Sequence, residues 1–268
     1  MAPASVTAQG ASAMTANEPG QPAYADAPNI TSVDLHVPKV ALAIGAHPDD
    51  VEFGCGATLA KWAAAGCVVH HLVCTDGSKG TWNPNADTTA LAVTRQHEQR
   101  AAARSLGATG EVVFLGWPDG ELDSGLRQRW QVAYWIRKLR PDVVLGHDPW
   151  KRYRLHPDHR HAGLLACDGV VAARDPHFFK EQELPPHRPS SLLLWEADAP
   201  DHAEDVTDFV DVKIAALLAH KSQLESTMHA VSDEQIAAFG HRIKSRLRSL
   251  GAPIGRDAAE VFKHISDL

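Results

Sequence analysis

The residues best suited to chemistry fall in two short stretches, Ala46-His47-Pro48-Asp49-Asp50 and His156-Pro157-Asp158-His159. His47 and Asp50 are an imidazole and a carboxylate three positions apart, ligand types that Zn²⁺ takes at about 2.0–2.2 Å. His159 would be the third ligand, leaving one coordination position for water. Asp49 is then an unligated carboxylate beside the ion, suited to accept a proton from that water. Each stretch also has a purely structural reading. Paired Asp residues ahead of a helix cap it, and Pro157 followed by Asp158 suits a helix's first turn. Together, on one edge of a sheet, the two stretches favour the metal.

That edge follows from the elements around them. Lys39 to Ala46 is a short continuous apolar run bounded by Pro38 and Pro48, and reads as a buried strand. An Ala-rich helix over 56–65 ends at Gly66, and a second apolar run spans Cys67 to Cys74. A helix over 89–106, a strand over 111–115, a helix over 126–139 and a strand over 142–146 follow, then a helix from His159 to about Arg174. Alternating strands and helices predict an α/β fold built of βαβ units, with a mostly parallel sheet. Right-handed crossovers place loops 46–50, 75–80, 116–120 and 147–159 at the C-terminal edge of the strands, where open α/β sheets bind ligands. Later the pattern predicts a strand over 191–195, a short strand over 206–210, helices over 212–224 and 233–250, and a final helix over 258–265. His147 reaches the same edge, with a supporting role and a merely structural one both open. Trp82, Trp117 and Trp150 lie on these loops, where stacking on a sugar face and packing of a lid are both open.

Bulk composition narrows the field. The chain has 268 residues, 44% hydrophobic and 22% charged, ordinary values for a globular protein. A net charge of −7 argues against a nucleic-acid partner, which needs a basic face. No apolar run approaches the roughly 20 residues of a membrane span, so no membrane partner is expected. Cys55, Cys67, Cys74 and Cys167 form no C-x-x-C pair, and the N-terminus lacks the basic and apolar regions of a signal peptide, which together suit the cytoplasm. Residues 1–31, rich in Ala, Pro, Ser, Thr and Gly, predict a loosely ordered tail, with 32–268 a single domain. Whether the chain forms a homo-oligomer is open.

A nucleotide-binding protein without hydrolytic activity is the main rival, because Gly54-Cys55-Gly56 follows a strand and opens a helix. Leu59 stands at the third glycine position, however, and two carboxylates would face the pyrophosphate. A metal-binding module without catalysis is a further alternative, against which the presence of both Asp49 and His156 argues.

The two motifs resemble those of the LmbE-like, or PIG-L, family of metal-dependent N-acetylglucosaminyl deacetylases. The family's A-H-P-D-D opening is matched at 46–50 and its H-P-D-H motif at 156–159. Weaker similarities run in the family's order: Thr75-Asp76-Gly77, Arg95-x-x-Glu98, Pro118-Asp119-Gly120, Pro186-His187-Arg188, Lys213 with Ser222-Gln223, and Ala259 to Phe262. The resemblance covers about residues 39–265 and implies a Rossmann-like three-layer sandwich, in agreement with the alternating pattern. It implies Zn²⁺, or Fe²⁺ or another divalent ion, on His47, Asp50 and His159, with Asp49 as general base. It implies His156 as a second catalytic group that as imidazolium steadies the oxyanion, Asp158 orienting His156, and Arg95 and Arg188 binding substrate. The implied reaction releases acetate and a free amine from an N-acetylglucosamine-like sugar, with cleavage of a larger aminosugar amide conjugate as the alternative. Leu155 departs from relatives that carry a polar or basic residue there, which bears on the substrate.

Overall fold

A computed structural model describes residues 29–268. One eight-stranded sheet runs through it. In chain order the elements are β1 (Ser32–Val33), β2 (Val40–Gly45), α1 (Asp50–Ala64), β3 (Val68–Thr75), α2 (Thr88–Ser105), β4 (Val112–Trp117), α3 (Leu126–Leu139), β5 (Val143–His147) and α4 (Pro157–Arg174). They continue as β6 (Ser191–Trp195), β7 (His202–Asp205), α5 (Val210–Leu218), α6 (Asp233–Gly251) and β8 (Ala259–Ile265). The sheet order is β1-β7-β8-β6-β5-β2-β3-β4, and every pairing is parallel except those of β8 with β6 and β7.

The central strands are apolar because helices cover both faces. Leu42 and Ile44 of β2 join Leu72, Val144 and Leu194 against Ile136 of α3 and Leu165 of α4. Ala41 and Ala43, on the other face, join Val69 and Leu145 against Leu59 and Trp62 of α1. The chain runs β2-β3-β4 outward and then returns to place β5 on the other side of β2. The crevice between the C-terminal ends of β2 and β5 is therefore the topological switch point, where such sheets bind ligands.

The α/β architecture agrees with the pattern in the sequence, and the departures are local. The helix after β2 begins at Asp50, six residues earlier than the Ala-rich run suggests, and bends at Cys55, where φ is −146°. The expected strand over 206–210 is a 3-10 turn running into α5; the strand lies just before it, in the polar His202–Asp205. Polar residues can line that strand because Glu204 is satisfied by Lys61, His202 and the Leu35 amide. The helix expected over 212–224 ends at Leu218. The expected final helix is β8, wedged in reverse between β6 and β7, so long-range pairing overrode local propensity there. The expected tail falls mostly on residues 1–28, outside the described residues, but its end is tied down: Thr31 donates its backbone N–H to Asp201 O at 2.8 Å. No helix among the described residues is long and apolar enough to cross a membrane.

Candidate active site

His47, Asp49 and Asp50 sit in the turn between β2 and α1, and His156 and His159 come from the start of α4. The two sequence stretches thus meet at the switch point. The Asp50 carboxylate is central. Its Oδ1 lies 3.3 Å from His159 Nε2, and its Oδ2 lies 3.3 Å from His47 Nδ1 and 3.2 Å from His147 Nε2. The His47 backbone N–H also donates to Asp50 Oδ2, at 2.7 Å, which fixes the turn. Burial alone would raise the Asp50 pKa, but His159 and His147 hold it well below the usual carboxylate range.

His47 reaches away from Asp50 through Nε2, which lies 3.1 Å from Asp158 Oδ2 and 3.2 Å from Asp119 Oδ1. A proton on Nε2 satisfies those carboxylates, so Nδ1 is the nitrogen that would turn to an ion beside Asp50. Burial opposes charge on His47, yet Asp119, Asp158 and Asp50 raise its pKa well above that of an ordinary imidazole. Donor atoms of His47, Asp50 and His159 all lie within 4.8 Å of one another, as do those of His47, Asp119, His156 and Asp158. The first group is the better cage for one ion. In the second, Asp158 is already engaged by the backbone N–H groups of Gly120 at 2.6 Å and Leu122 at 3.2 Å. A further sign that the first group fits an ion is His147 Nε2, which is buried with no hydrogen bond of good geometry and points at the same carboxylate.

Asp49 stands at the N-cap position of α1 without capping it by its side chain, so the cap reading of this residue is not realised. Its backbone is left-handed, with φ 99° and ψ −25°, a costly conformation for a residue with a Cβ. Its N–H donates to Gln99 Oε1 at 2.9 Å, and its Oδ2 lies 3.4 Å from Arg95 Nη2. Burial pushes its pKa up to about 6, against the opposing pull of Arg95 and with a further push from Asp50. Arg95 is almost wholly buried and donates to Pro48 O at 2.5 Å and Gly77 O at 2.9 Å. The sequence could not separate a surface ion pair of Arg95 and Glu98 from a functional role. In the structure the two part: Glu98 accepts from Ser222, and Arg95 clamps the loop that carries Asp49.

His156 is exposed, with its ring edge-on to His47 at 4.6 Å between centroids and stacked on His159 at 4.8 Å. Burial and then the two neighbouring imidazoles lower its pKa. Asp158 was expected to orient His156. Its hydrogen bonds go instead to His47, Gly120 and Leu122, so it orients the imidazole beside Asp50. Arg188 is a second correction. It is exposed and lies three residues before β6, next to His187, whose Nε2 bonds Pro141 O just ahead of β5. That is the N-terminal edge of the sheet, a full strand of roughly 16 Å from the crevice, so Arg188 is removed from the site.

The cleft above the histidines has a volume of about 640 Å³, within the ~300–1,000 Å³ span of small-molecule sites. Trp82, Lys79, Ser226, Thr227 and Arg246 also line it. Trp82 is 85% exposed, an apolar face open to a ligand. Trp150 is exposed outside the cleft, and Trp117 is tied to Gln131. The nucleotide reading fails on the same geometry. Asp49 and Asp50 occupy the space before the α1 N-terminus, and Gly54 serves close packing: a Cβ there would come within 2.5 Å of the Trp195 ring.

Several contributors carried little signal in the sequence. Asp119 was visible only as part of a Pro-Asp-Gly turn. Gln99, Glu52 and His220 gave no sign, because they converge from α2, α1 and the segment after α5.

Comparison with known proteins agrees with this geometry. The PIG-L profile, described as GlcNAc-PI de-N-acetylase, matches residues 42–169. The chain is 36% identical over 188 residues to the diacetylchitobiose deacetylase of Thermococcus kodakarensis, covering 69% of this chain and 70% of that one. It is 34% identical over 169 residues to the 1D-myo-inositol 2-acetamido-2-deoxy-alpha-D-glucopyranoside deacetylase of Streptomyces avermitilis, covering 54% of this chain and 57% of that one. Among solved structures, the N,N'-diacetylchitobiose deacetylase of Pyrococcus horikoshii superposes with a TM-score of 0.77 at 30% identity, covering 85% of this chain and 84% of that one. The chain therefore belongs to the PIG-L family, whose members are metal-dependent, and is an amide-hydrolysing deacetylase.

Proposed function

We propose that this protein removes the acetyl group from the 2-acetamido position of a glucosamine-type sugar, releasing acetate and the free amine, with Zn²⁺ held by His47, Asp50 and His159. The observation that carries this reading is the placement of Asp49. It is an uncapped, buried carboxylate next to the His47–Asp50–His159 donor group, at the floor of the cleft. The relatives named above act, by their names, on sugars that share an acetamide on glucosamine, which supplies the substrate class. Two imidazoles and one carboxylate suit Zn²⁺ and also accept Fe²⁺, so metal analysis of the purified protein decides between them.

When bound, the ion supplies a Lewis-acidic centre that activates water and polarises the acetamide carbonyl. Asp49 takes the proton from the attacking water. A carboxylate whose pKa burial has raised is a better base for this than an exposed one, because its pKa lies nearer the working pH. Arg95 holds Pro48 and faces Asp49, which keeps the base aimed at the donor group. His156, open to the cleft and stacked on His159, is placed to pass a proton to the departing amine. Asp119 and Asp158 hold His47 in the tautomer that frees Nδ1. Trp82 offers a stacking face for further sugar, and the hydroxyls of Ser226 and Thr227, whose protons go to Gly80 O and Gln223 Oε1, offer acceptor lone pairs, which favours a disaccharide or conjugate over a bare monosaccharide. The cytoplasm suits four unpaired thiols.

The test is acetate release from N,N'-diacetylchitobiose, N-acetylglucosamine and glucosaminyl-inositol acetamides by the Zn²⁺-loaded protein. Asp49→Asn should lower turnover by about 10²–10⁴-fold while metal content stays near one ion per chain. Undiminished turnover in that variant refutes the base assignment, and no acetate from any of these substrates refutes the substrate class.

A further inference from the structure

Behind Asp49 lies a group of polar side chains that the chemistry above does not use. Glu52, His71, Gln99 and His220 are each 0% exposed, on four different segments. Gln99 is the hub. Its Oε1 accepts the Asp49 backbone N–H at 2.9 Å, and its Nε2 donates to Glu52 Oε1 at 2.7 Å and lies 3.1 Å from His71 Nδ1. The other Glu52 oxygen lies 3.3 Å from His220 Nε2. Only one orientation of the amide fits. Its oxygen must face an N–H and its NH₂ must face a carboxylate, so a flipped amide would meet donor with donor and acceptor with acceptor.

This matters because of the backbone it holds. Asp49 sits at φ 99°, where a residue with a Cβ stays only if its surroundings enforce it. The enforcing contacts are few. Phe53 N–H bonds Asp49 O at 3.0 Å, Arg95 clamps Pro48 O, and Gln99 holds the Asp49 N–H itself. Without the last, the peptide between Pro48 and Asp49 is held only through its oxygen, by Arg95, and its N–H side can tilt, carrying the carboxylate with it. A buried polar cluster is not the economical way to fill a core, since apolar side chains of the same volume often do as well or better. Its use here is to fix direction.

We infer that Gln99, with its amide oriented by Glu52, is a positioning residue that locks Asp49 in the left-handed conformation and so aims its carboxylate at the reacting water. This rests on Asp49 being the base. Misplacement of a reacting group by about 1 Å costs up to about 100-fold in rate, which sets the expected size of the effect.

The experiment compares Zn²⁺-loaded wild type, Asp49→Asn, Gln99→Met, Gln99→Glu and the double variant Glu52→Gln/Gln99→Glu, on whichever acetamido sugar the wild type hydrolyses. Gln99→Met should lose about 10–100-fold in kcat with KM and metal content nearly unchanged. Gln99→Glu sets two buried carboxylates against each other and should be slower or fail to fold. The double variant restores an acceptor for the Asp49 N–H and a donor between the two side chains, at unchanged net charge, and should recover most of the wild-type kcat. A crystal structure of Gln99→Met should show residue 49 out of the left-handed region. The inference is overturned if Gln99→Met keeps wild-type kcat while Asp49→Asn is inactive. It is also overturned if the double variant is as impaired as Gln99→Glu, or if residue 49 keeps φ near 99° in the Gln99→Met crystal. Full activity in Asp49→Asn would instead overturn the base assignment on which it rests.

Discussion

Gly54→Ala should damage the protein through a chain of contacts that ends at Asp50. A Cβ at position 54 would lie 2.5, 2.6 and 2.7 Å from Cδ2, Cε2 and Cγ of Trp195. Carbon atoms in good contact sit about 3.5–4.0 Å apart, so the indole must move by about 1 Å. It has little room, being 1% exposed. Its Nε1 donates to His147 Nδ1 at 3.0 Å, and His147 Nε2 faces Asp50 Oδ2 at 3.2 Å. Overpacking of this kind costs about 1–3 kcal/mol, and the rigid ring argues for the upper half of that range. Ala also gains up to about 1 kcal/mol over Gly as a helix residue, which offsets part of the loss. Gly56→Ala is the control that isolates the overlap. It lies in the same helix, and its Cβ would meet Lys213 Cγ at an ordinary 3.5 Å. The difference between the two variants should therefore be about 2–3 kcal/mol, or about 4–12 °C in Tm for a domain of this size. Displacing a group that supports a metal ligand costs about 10–100-fold in affinity, so with Asp50 as the proposed ligand Gly54→Ala should also bind a divalent ion more weakly, while Gly56→Ala should not. Calorimetry on the metal-free proteins and chelator competition on the loaded ones give both numbers. Equal Tm and equal metal affinity in the two variants would refute the packing chain from Gly54 to Asp50.

Two further outcomes follow from the structure. Lys213 and Glu260 form a buried ion pair at 2.5 Å, and Glu260 also accepts from the N–H groups of Ala57 and Thr58 at 3.2 and 2.8 Å, pinning α1 to β8. Lys213→Met leaves that carboxylate without its counter-charge and should cost about 3–5 kcal/mol in urea unfolding; a loss under about 1 kcal/mol would show the pair to be dispensable. His70 accepts the Glu111 N–H through Nδ1 at 2.7 Å, and burial lowers its pKa below 6.5. The unfolded chain thus takes up this proton before the folded one, so stability should fall as pH drops through 6.5 toward the lowered folded value. His70→Gln should flatten that part of the stability–pH curve between pH 7.5 and 5.5, and an unchanged slope would refute the assignment.

The local sequence decided a good deal. Apolar runs bounded by Pro and Gly made β2, β3 and β5 legible, because a strand buried on both faces is predominantly apolar. The helix over 126–139 and the strand over 191–195 fall where the pattern puts them. The two His-Pro-Asp stretches carried the chemistry, since their donors are local and their loops follow parallel strands. Tertiary structure decided the rest. Only the strand order, with β5 returning beside β2, brings His147 and the start of α4 to Asp50. Arg188 shows the limit of a linear motif: it follows the expected run of residues but lies at the other end of β6. The Ala259–Ile265 segment reads as a helix because a reversed strand gains its stability from β6 and β7, which no local window contains. Asp49 and Asp50, adjacent in sequence, stand in different surroundings. One sits at a left-handed backbone held by Gln99 from α2, and the other is where His47, three positions away, meets His147 and His159 from distant elements, so that only the His47 contact is local.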